Sequence, residues 1–419
     1  MTSTSSITTE QMRLVLEVSR QLTVTADLDL LLRRMAEAAT SLLGAERASI
    51  FVHDPEKKQL WTKIALGSGE IRVPEHAGIV GHVFKTDSLL NIPDAYADAR
   101  FNRAIDLKTG FVTRNLLTTP MNDFDGRPIG VMQVVNKIGG TFLAQDDTML
   151  RLLADQAGVA LQRYRLQQAA VETVELKREM VLARKVQDRL IPRSAPVITG
   201  LEAVGWTSPA SITGGDCFDL WRMTDGALGI FLGDASGHGL APALVVSQAR
   251  TLIRALSEID CNPMWLLGKV NTRLADDLEE SRFVTAFAGC LRPDGLLKWY
   301  SAGHGPIFVR ADPDGPIEAL MPQAPPIGVD PVMPNEPPDT LQLKPGGWLI
   351  VMSDGIFEAM TPNEARELYG VGRLTELLDT CRNESPSHTL ACIQKAMIDW
   401  QGRVEPADDQ TVVIIRRTR

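Results

Sequence analysis

In the second half of this 419-residue chain, four short segments set aspartates among small residues. They are Thr213-Gly-Gly-Asp216-Cys-Phe-Asp219, Phe231-Leu-Gly-Asp234-Ala235-Ser-Gly-His238-Gly, Val351-Met-Ser-Asp354-Gly and Ala407-Asp408-Asp409-Gln-Thr411. Each reads as an apolar strand closing on an aspartate, where Gly, Ser or Ala lets the backbone turn sharply and approach a ligand. One such segment alone is most simply a turn. Four in one stretch point to carboxylates that converge, and these repel unless a cation sits among them. The donors are all oxygen, with no Cys or His cluster, which favours Mg²⁺ or Mn²⁺ over zinc or copper.

The elements that must position these groups follow from periodicity. Strand patterns cover Ala227 to Leu232, Phe283 to Leu291, Leu296 to Tyr300, Ile307 to Arg310, Trp348 to Met352 and Thr411 to Arg416. Helical spacing covers Leu240 to Leu256, Met264 to Leu278 and Leu374 to Trp400, and the Pro- and Asp-rich residues 311–346 read as loop. Paired strands with helices between or after them predict an α+β sandwich.

The ordered set GGDxxD, GDxSGHG, SAGHxP (Ser301 to Pro306), SDGxxE (Ser353 to Glu358) and DDxT resembles the SpoIIE/RsbU-type branch of the metal-dependent (PPM) protein serine/threonine phosphatases. The resemblance spans about residues 180–416 and takes in the lead-in Ala183-Arg-Lys-Val-Gln187-Asp-Arg-Leu-Ile-Pro192. It implies an α-β-β-α sandwich and a centre of two Mn²⁺ or Mg²⁺ ions. Asp234 would bridge the ions with the Ala235 carbonyl as a backbone ligand. Asp354 and Asp408 would each hold one ion, and Asp216 would hold metal-bound waters or a weaker third ion. Asp219 and Asp409 would be alternative ligands or supports behind them. The implied reaction is in-line attack on a phosphoserine or phosphothreonine by a metal-activated water. His238 is the candidate proton donor. The classical eukaryotic relatives carry a histidine where this chain has Ser236, and a helix-start histidine packed under the loop is the equal alternative. His304, between two glycines, reads as a turn organiser. The substrate implied by the resemblance is a phosphorylated anti-sigma-factor antagonist of the STAS type. The competing readings are a non-catalytic interaction scaffold and a two-metal phosphodiesterase or nuclease.

The first half differs. Residues 1–9 read as a frayed polar end, Gln11 to Leu22 and Asp27 to Leu43 as helices, and Ala48 to Val52, Leu60 to Ala65 and Gly130 to Val135 as strands. The run Asn136-Lys137, Phe142, Asp146-Asp147 resembles the N-K-F-D-E signature of cyclic-nucleotide-type GAF domains, which implies an antiparallel sheet with flanking helices. There the Lys and an Asp form a structural ion pair, so the motif marks the subfamily more than it touches ligand. A cyclic nucleotide, another small ligand, or dimerisation alone all stay open. No cysteine lies in this region, which excludes a thioether-linked bilin; His53, His76 and His82 could touch a haem, although lone histidines are more often core or surface.

Between the halves, Leu150, Leu153, Ala157, Ala160, Tyr164, Val171, Val174 and Val181 recur near heptad spacing, broken by Gln167 and Arg178. A long helix stopped by Pro192 and Pro196, acting as connector in a parallel homodimer, is the expectation; the last helix of the first domain plus a solvated linker is the alternative. The expected organisation is a sensor domain over 1–165, a helical linker over 150–192 and a phosphatase domain over 193–419. The net charge of −9 argues against a nucleic-acid partner. The five cysteines form no CxxC pair, so neither a disulfide framework nor a zinc knuckle is expected. No apolar run reaches membrane-span length and no secretory signal is seen, so the expected location is the cytoplasm.

Overall fold

The computed structural model describes residues 27–62, 71–275, 282–334, 336–402 and 406–418. The helix expected over Gln11 to Leu22 and the end of the strand expected over Leu60 to Ala65 lie outside them. Two compact units divide within one long helix, between Val174 and Glu175.

The first unit is a six-stranded antiparallel sheet in the order β3-β2-β1-β6-β5-β4. Its strands are β1 (Ala45–Asp54), β2 (Gln59–Thr62), β3 (Ile71–Pro74), β4 (Leu90–Ile92), β5 (Leu116–Asn122) and β6 (Pro128–Lys137). Its helices are α1 (Leu28–Leu43), α2 (Gly78–Thr86), α3 (Arg103–Thr109) and the start of α4 (Ala144–Leu190). Asp27 caps α1, accepting from Leu30 N–H at 2.8 Å, and Gly44 ends it in the left-handed conformation at φ 56°. The α1 residues Leu31, Leu32, Met35 and Ala39 pack with Leu150, Leu153, Ala157 and Leu161 of α4 over the sheet. Leu150, Leu153 and Ala157, expected in a coiled-coil seam, are therefore core of this unit. Val171, Val174 and Val181, further along α4, are exposed.

The second unit has four layers. One sheet runs β14-β11-β10-β9-β8 and the other β13-β12-β15-β16-β7. The strands are β7 (Leu201–Ser208), β8 (Asp216–Arg222), β9 (Leu228–Ala235), β10 (Val284–Leu291), β11 (Leu296–Ala302), β12 (Ile307–Arg310), β13 (Glu318–Leu320), β14 (Asp339–Gln342), β15 (Trp348–Met352) and β16 (Gln410–Arg417). Alternation sorts their side chains between layers. Phe218, Leu220, Ile230 and Leu232 meet Val351, Val413 and Ile415 between the sheets. Cys217, Trp221 and Phe231 face α5 (Leu240–Leu256) and α6 (Pro263–Leu274). Ile350, Met352, Val412 and Ile414 face α8 (Gly370–Thr380) and α9 (Pro386–Gln401), which follow the short α7 (Asp354–Phe357). This is the expected α-β-β-α sandwich. The single helix expected over Leu374 to Trp400 is two, because Ser385 caps a new start, accepting from His388 N–H at 3.2 Å, with Pro386 in its first turn. Residues 311–346 hold two short strands, β13 and β14, besides loop.

Candidate functional site

In the second unit the aspartate segments meet at one edge of the sandwich. Asp216 and Asp234 face each other across the β8–β9 ladder. Asp354 follows β15 and opens α7 behind the capping residue Ser353, and Asp408 and Asp409 immediately precede β16. The strand-end reading needs one correction: Asp216 is the first residue of β8, and Asp408 and Asp409 lie ahead of their strand, so only Asp234 and Asp354 come at strand ends. Antiparallel pairing brings starts and ends to one edge all the same.

The β15 and β16 segments are welded. The Ser353 hydroxyl donates to the Asp409 carbonyl at 3.1 Å and accepts from Thr411 N–H at 2.9 Å. Gly355 is required there, since a Cβ would lie 2.2 Å from the Asp409 carbonyl oxygen. Asp409 commits its side chain to backbone amides, Ala210 N–H at 2.7 Å and Asp216 N–H at 3.2 Å. Of its two expected places, ligand or support behind the ligands, these bonds are of the second kind: they hold the loop that carries Asp216. Gly215 lies against the Ala235 carbonyl, 2.7 Å from where its Cβ would be, which leaves no room for a side chain beside that oxygen.

Electrostatically the edge is frustrated. Asp216 is 2% exposed, and neither carboxylate oxygen has a hydrogen-bond partner. The hydroxyls of Ser353 and Thr411 lie nearby, but they donate to the Asp409 carbonyl and to Thr207 Oγ1. Burial, with Asp234 beside it, pushes the Asp216 carboxyl well above its usual range. Burial and the charges of Asp354, Asp408 and Asp409 push Asp234 up to about 7, and burial and Asp408 raise Asp354. Asp234 and Asp354 are half-buried, and Asp408 is exposed and accepts from Asp409 N–H at 2.8 Å, so Asp216 alone is both buried and without a donor. A divalent cation relieves such a carboxylate and the repulsion of its neighbours, and the donor set fits Mg²⁺ or Mn²⁺. No three of these carboxylates bring oxygens within 4.8 Å of one another, an open set rather than a closed cage.

Asp219 is elsewhere. It lies three residues beyond Asp216, so it points to the opposite face of β8. Fully buried, it pairs with Arg250 Nη2 at 2.6 Å and Arg254 Nη1 at 2.9 Å on α5. This corrects its expected place near the metals; the sequence signal was the Arg pair at i, i+4. His238 is exposed in the loop before α5. His304 is buried, its Nδ1 3.0 Å from the Thr285 hydroxyl, and burial lowers its pKa to about 4. Thr285 sits opposite Asp234 in the β9–β10 ladder. Gln187 of α4 is 4% exposed and bonds both the backbone N–H and the carbonyl of Gly214, a contact that the lead-in motif contained and its residue types alone did not assign.

In the first unit, Lys137 Nζ meets Asp146 Oδ1 at 2.8 Å and the Leu43 carbonyl at 2.7 Å, tying the end of β6 to α4 and α1. Asp147 accepts from Asn91 Nδ2 at 2.8 Å. A separate cavity of about 330 Å³ is lined by apolar residues such as Phe51 and Ile79 together with Arg100, Asn102, Thr113 and Gln133. None of the three histidines lines it; His53 instead pairs with Glu75 at 2.9 Å against the Phe84 ring. Among the described residues no helix is long and apolar enough to cross a membrane.

Comparison with known proteins adds to this geometry. The model of the "Stage II sporulation protein E (SpoIIE)" family matches residues 224–418, and that of the GAF domain matches residues 27–161. Similar curated proteins include the probable 3',5'-cyclic phosphodiesterase pde-5 of Caenorhabditis elegans, 35% identical over 153 residues, 33% of this chain and 21% of that one. The dual 3',5'-cyclic-AMP and -GMP phosphodiesterase 11A of Takifugu rubripes is 32% identical over 188 residues, 41% of this chain and 21% of that one. The chain thus spans about a fifth of the length of these relatives. Among solved structures, the SiaA-PP2C domain of Pseudomonas aeruginosa superposes with a TM-score of 0.52 at 18% identity, covering 59% of this chain and 99% of that one, a likeness of fold. The SpoIIE family model over residues 224–418, on this fold, places the second unit in the class of metal-dependent protein phosphatase domains. The chain carries a GAF domain followed by a phosphatase domain of the SpoIIE family.

Proposed function

We propose that this protein is a signal-regulated serine/threonine phosphatase that hydrolyses phosphoserine or phosphothreonine on a partner protein. The observation that carries the reading is the buried Asp216 carboxylate, without a hydrogen-bond partner and facing Asp234 across the ladder. Asp216, Asp234, Asp354 and Asp408, with the Ala235 carbonyl, would hold two Mn²⁺ or Mg²⁺ ions. Bound there, such ions supply the Lewis acidity that makes water a nucleophile near neutral pH. Asp409 fixes the Asp216 loop through its backbone amides, and Gly215 leaves the Ala235 carbonyl unobstructed. His304, buried and neutral, supports the strand opposite Asp234 through Thr285, which leaves exposed His238 as the candidate proton donor. By family resemblance the substrate is a STAS-type anti-sigma-factor antagonist, and the location is the cytoplasm.

The first unit is the proposed sensor, over about residues 1–165, and its cavity is the proposed ligand site. A cyclic nucleotide is the first candidate, given relatives named as cyclic phosphodiesterases. The exposed apolar stripe of α4 is the proposed homodimer seam, with 150–192 as linker to a catalytic domain over 193–419.

The test is phosphate release from a phosphoserine peptide with and without Mn²⁺. Metal-dependent release that falls at least about a thousandfold in Asp234→Asn is expected. Release that is independent of metal, or undiminished in that variant, refutes the reading.

A further inference from the structure

A second set of metal-ligating side chains lies at the other end of the β8–β9 hairpin. The ladder runs from Asp216 and Asp234 to Arg222 and Leu228, about 20 Å at 3.3 Å per residue. Just past it the turn carries Asp225. There Cys261, in the turn between α5 and α6, and Cys290, near the end of β10, come together with Asp225. One ligand atom from each lies within 4.8 Å of the other two, the one such three-way group among the described residues.

Three elements distant in sequence are held at this point independently. Trp221 Nε1 donates to the Ser257 hydroxyl at 3.0 Å, fixing the end of α5 to β8. Ala227 N–H donates to Asp225 Oδ1 at 3.0 Å, which orients the carboxylate and leaves Oδ2 free of that bond. Asn262 caps α6 immediately after Cys261, accepting from Met264 N–H at 3.0 Å. The burial is graded: Cys290 is buried, Cys261 partly so, and Asp225 exposed. The set is thus closed from below and open to water on one side. Lys298, opposite Cys290 on β11, is the cation nearest in the ladder.

We propose that Asp225, Cys261 and Cys290 form a site for Zn²⁺, with water in the fourth position. Two thiolates bound to zinc at about 2.3 Å lie about 3.8 Å apart at tetrahedral angles, within the spacing seen. Two sulfurs select a borderline-soft cation and reject Mg²⁺ and Mn²⁺, so this site and the acidic edge take different metals. A disulfide between the two cysteines would engage only the two sulfurs, whereas zinc uses all three groups. Binding releases both thiol protons and clips the α5–α6 turn to the sheet.

The experiment uses the full chain, stripped of metal, reduced and kept anaerobic, with Co²⁺ as probe. One equivalent is expected to produce a thiolate-to-cobalt charge-transfer band, which carboxylates cannot give, and Zn²⁺ should bleach it. Cys261→Ser, a near-isosteric change in a turn, should abolish the band. Asp225→Asn should weaken the affinity by at least about tenfold, since even groups behind metal ligands cost 10–100-fold. Cys381→Ser should leave the band intact, because Cys381 and Cys392 are neighbours without a third donor in such a group. No band in the wild type, a band that survives Cys261→Ser, or one that vanishes in Cys381→Ser overturns the proposal. So does reduced protein that takes up no Co²⁺ yet forms a Cys261–Cys290 disulfide in air.

Discussion

The side chain of Gln187 makes two hydrogen bonds to the backbone of Gly214: Nε2 donates to the carbonyl at 2.7 Å, and Oε1 accepts from the N–H at 3.3 Å. Gly214 lies two residues before Asp216, so the long helix grips the loop that sets a buried carboxylate. Leucine at 187 leaves the N–H and the carbonyl of Gly214 unpaired, at a cost of about 1–3 kcal/mol. Gln187→Leu is therefore expected to raise the Mn²⁺ concentration for half-maximal activity more than it lowers kcat at saturating metal. Metal-titrated phosphatase kinetics check this; an unchanged metal dependence would show that the grip does not set Asp216.

Much of this was legible in the sequence because the informative features are local. Asp216, Asp234, Asp354 and Asp408 announce themselves by their small neighbours, and β12, β15 and α5 by their periodicity. What escaped depends on pairing or on face. Asp219 looked equivalent to Asp216 until the pleat put it on the helix side. Asp409 read equally as ligand or support until the loop at Ala210 folded onto it. The helix break at Ser385-Pro386 was locally visible as a cap and a proline, but a long apolar period masked it. Cys261 and Cys290 are 29 residues apart by their numbers and share no motif; only the fold makes them neighbours.

The pairing of Asp219 separates a structural carboxylate from a metal ligand. Arg254 is half exposed and can turn to water, but Arg250 is 13% exposed and would be left buried and unpaired. Asp219→Ala is expected to destabilise the second unit by about 3–5 kcal/mol. Below its melting transition, its Mn²⁺ affinity should match the wild type. Denaturant melts and metal titrations at low temperature give the two numbers, and a weakened metal affinity in the folded variant would restore Asp219 to the site.

Lys137 makes a parallel case in the first unit. Its ammonium joins Asp146 to the Leu43 carbonyl and does not line the cavity. Lys137→Met keeps the aliphatic stem and removes both bonds. A loss of about 1–3 kcal/mol is expected, read as an earlier first transition in denaturant, with no change in the response to a cavity ligand such as cyclic GMP. A lost response without lost stability would make Lys137 a ligand contact.

The exposed stripe on α4 predicts its own remedy. Val171, Val174 and Val181 keep heptad spacing, and Gln167 and Arg178 interrupt it. Gln167→Leu with Arg178→Leu should tighten the homodimer and shift basal activity or its response to ligand. Val174→Lys with Val181→Lys should yield monomers. Light scattering on sized protein decides this, and a monomeric wild type would remove the seam.

The carboxylate edge gives a pH dependence with a definite sign. The folded state holds the Asp234 proton more tightly than the unfolded chain does, with a pKa of about 7 against 3.8. The folded chain therefore binds the extra proton between those values, and stability falls as pH rises through that window. In chelator, the melting temperature of the second unit should drop between about pH 5 and pH 8 by more than in Asp234→Asn. At the alkaline end the variant should be the more stable protein, because it removes a repelled charge. Saturating Mn²⁺ should reverse that order, since a bound cation stabilises the carboxylate form and rewards Asp over Asn. Melting curves at both pH values, with chelator and with Mn²⁺, measure all four corners. A wild type more stable than Asp234→Asn in chelator at pH 8 would mean that the carboxylates do not repel, and that the edge is not built around a cation.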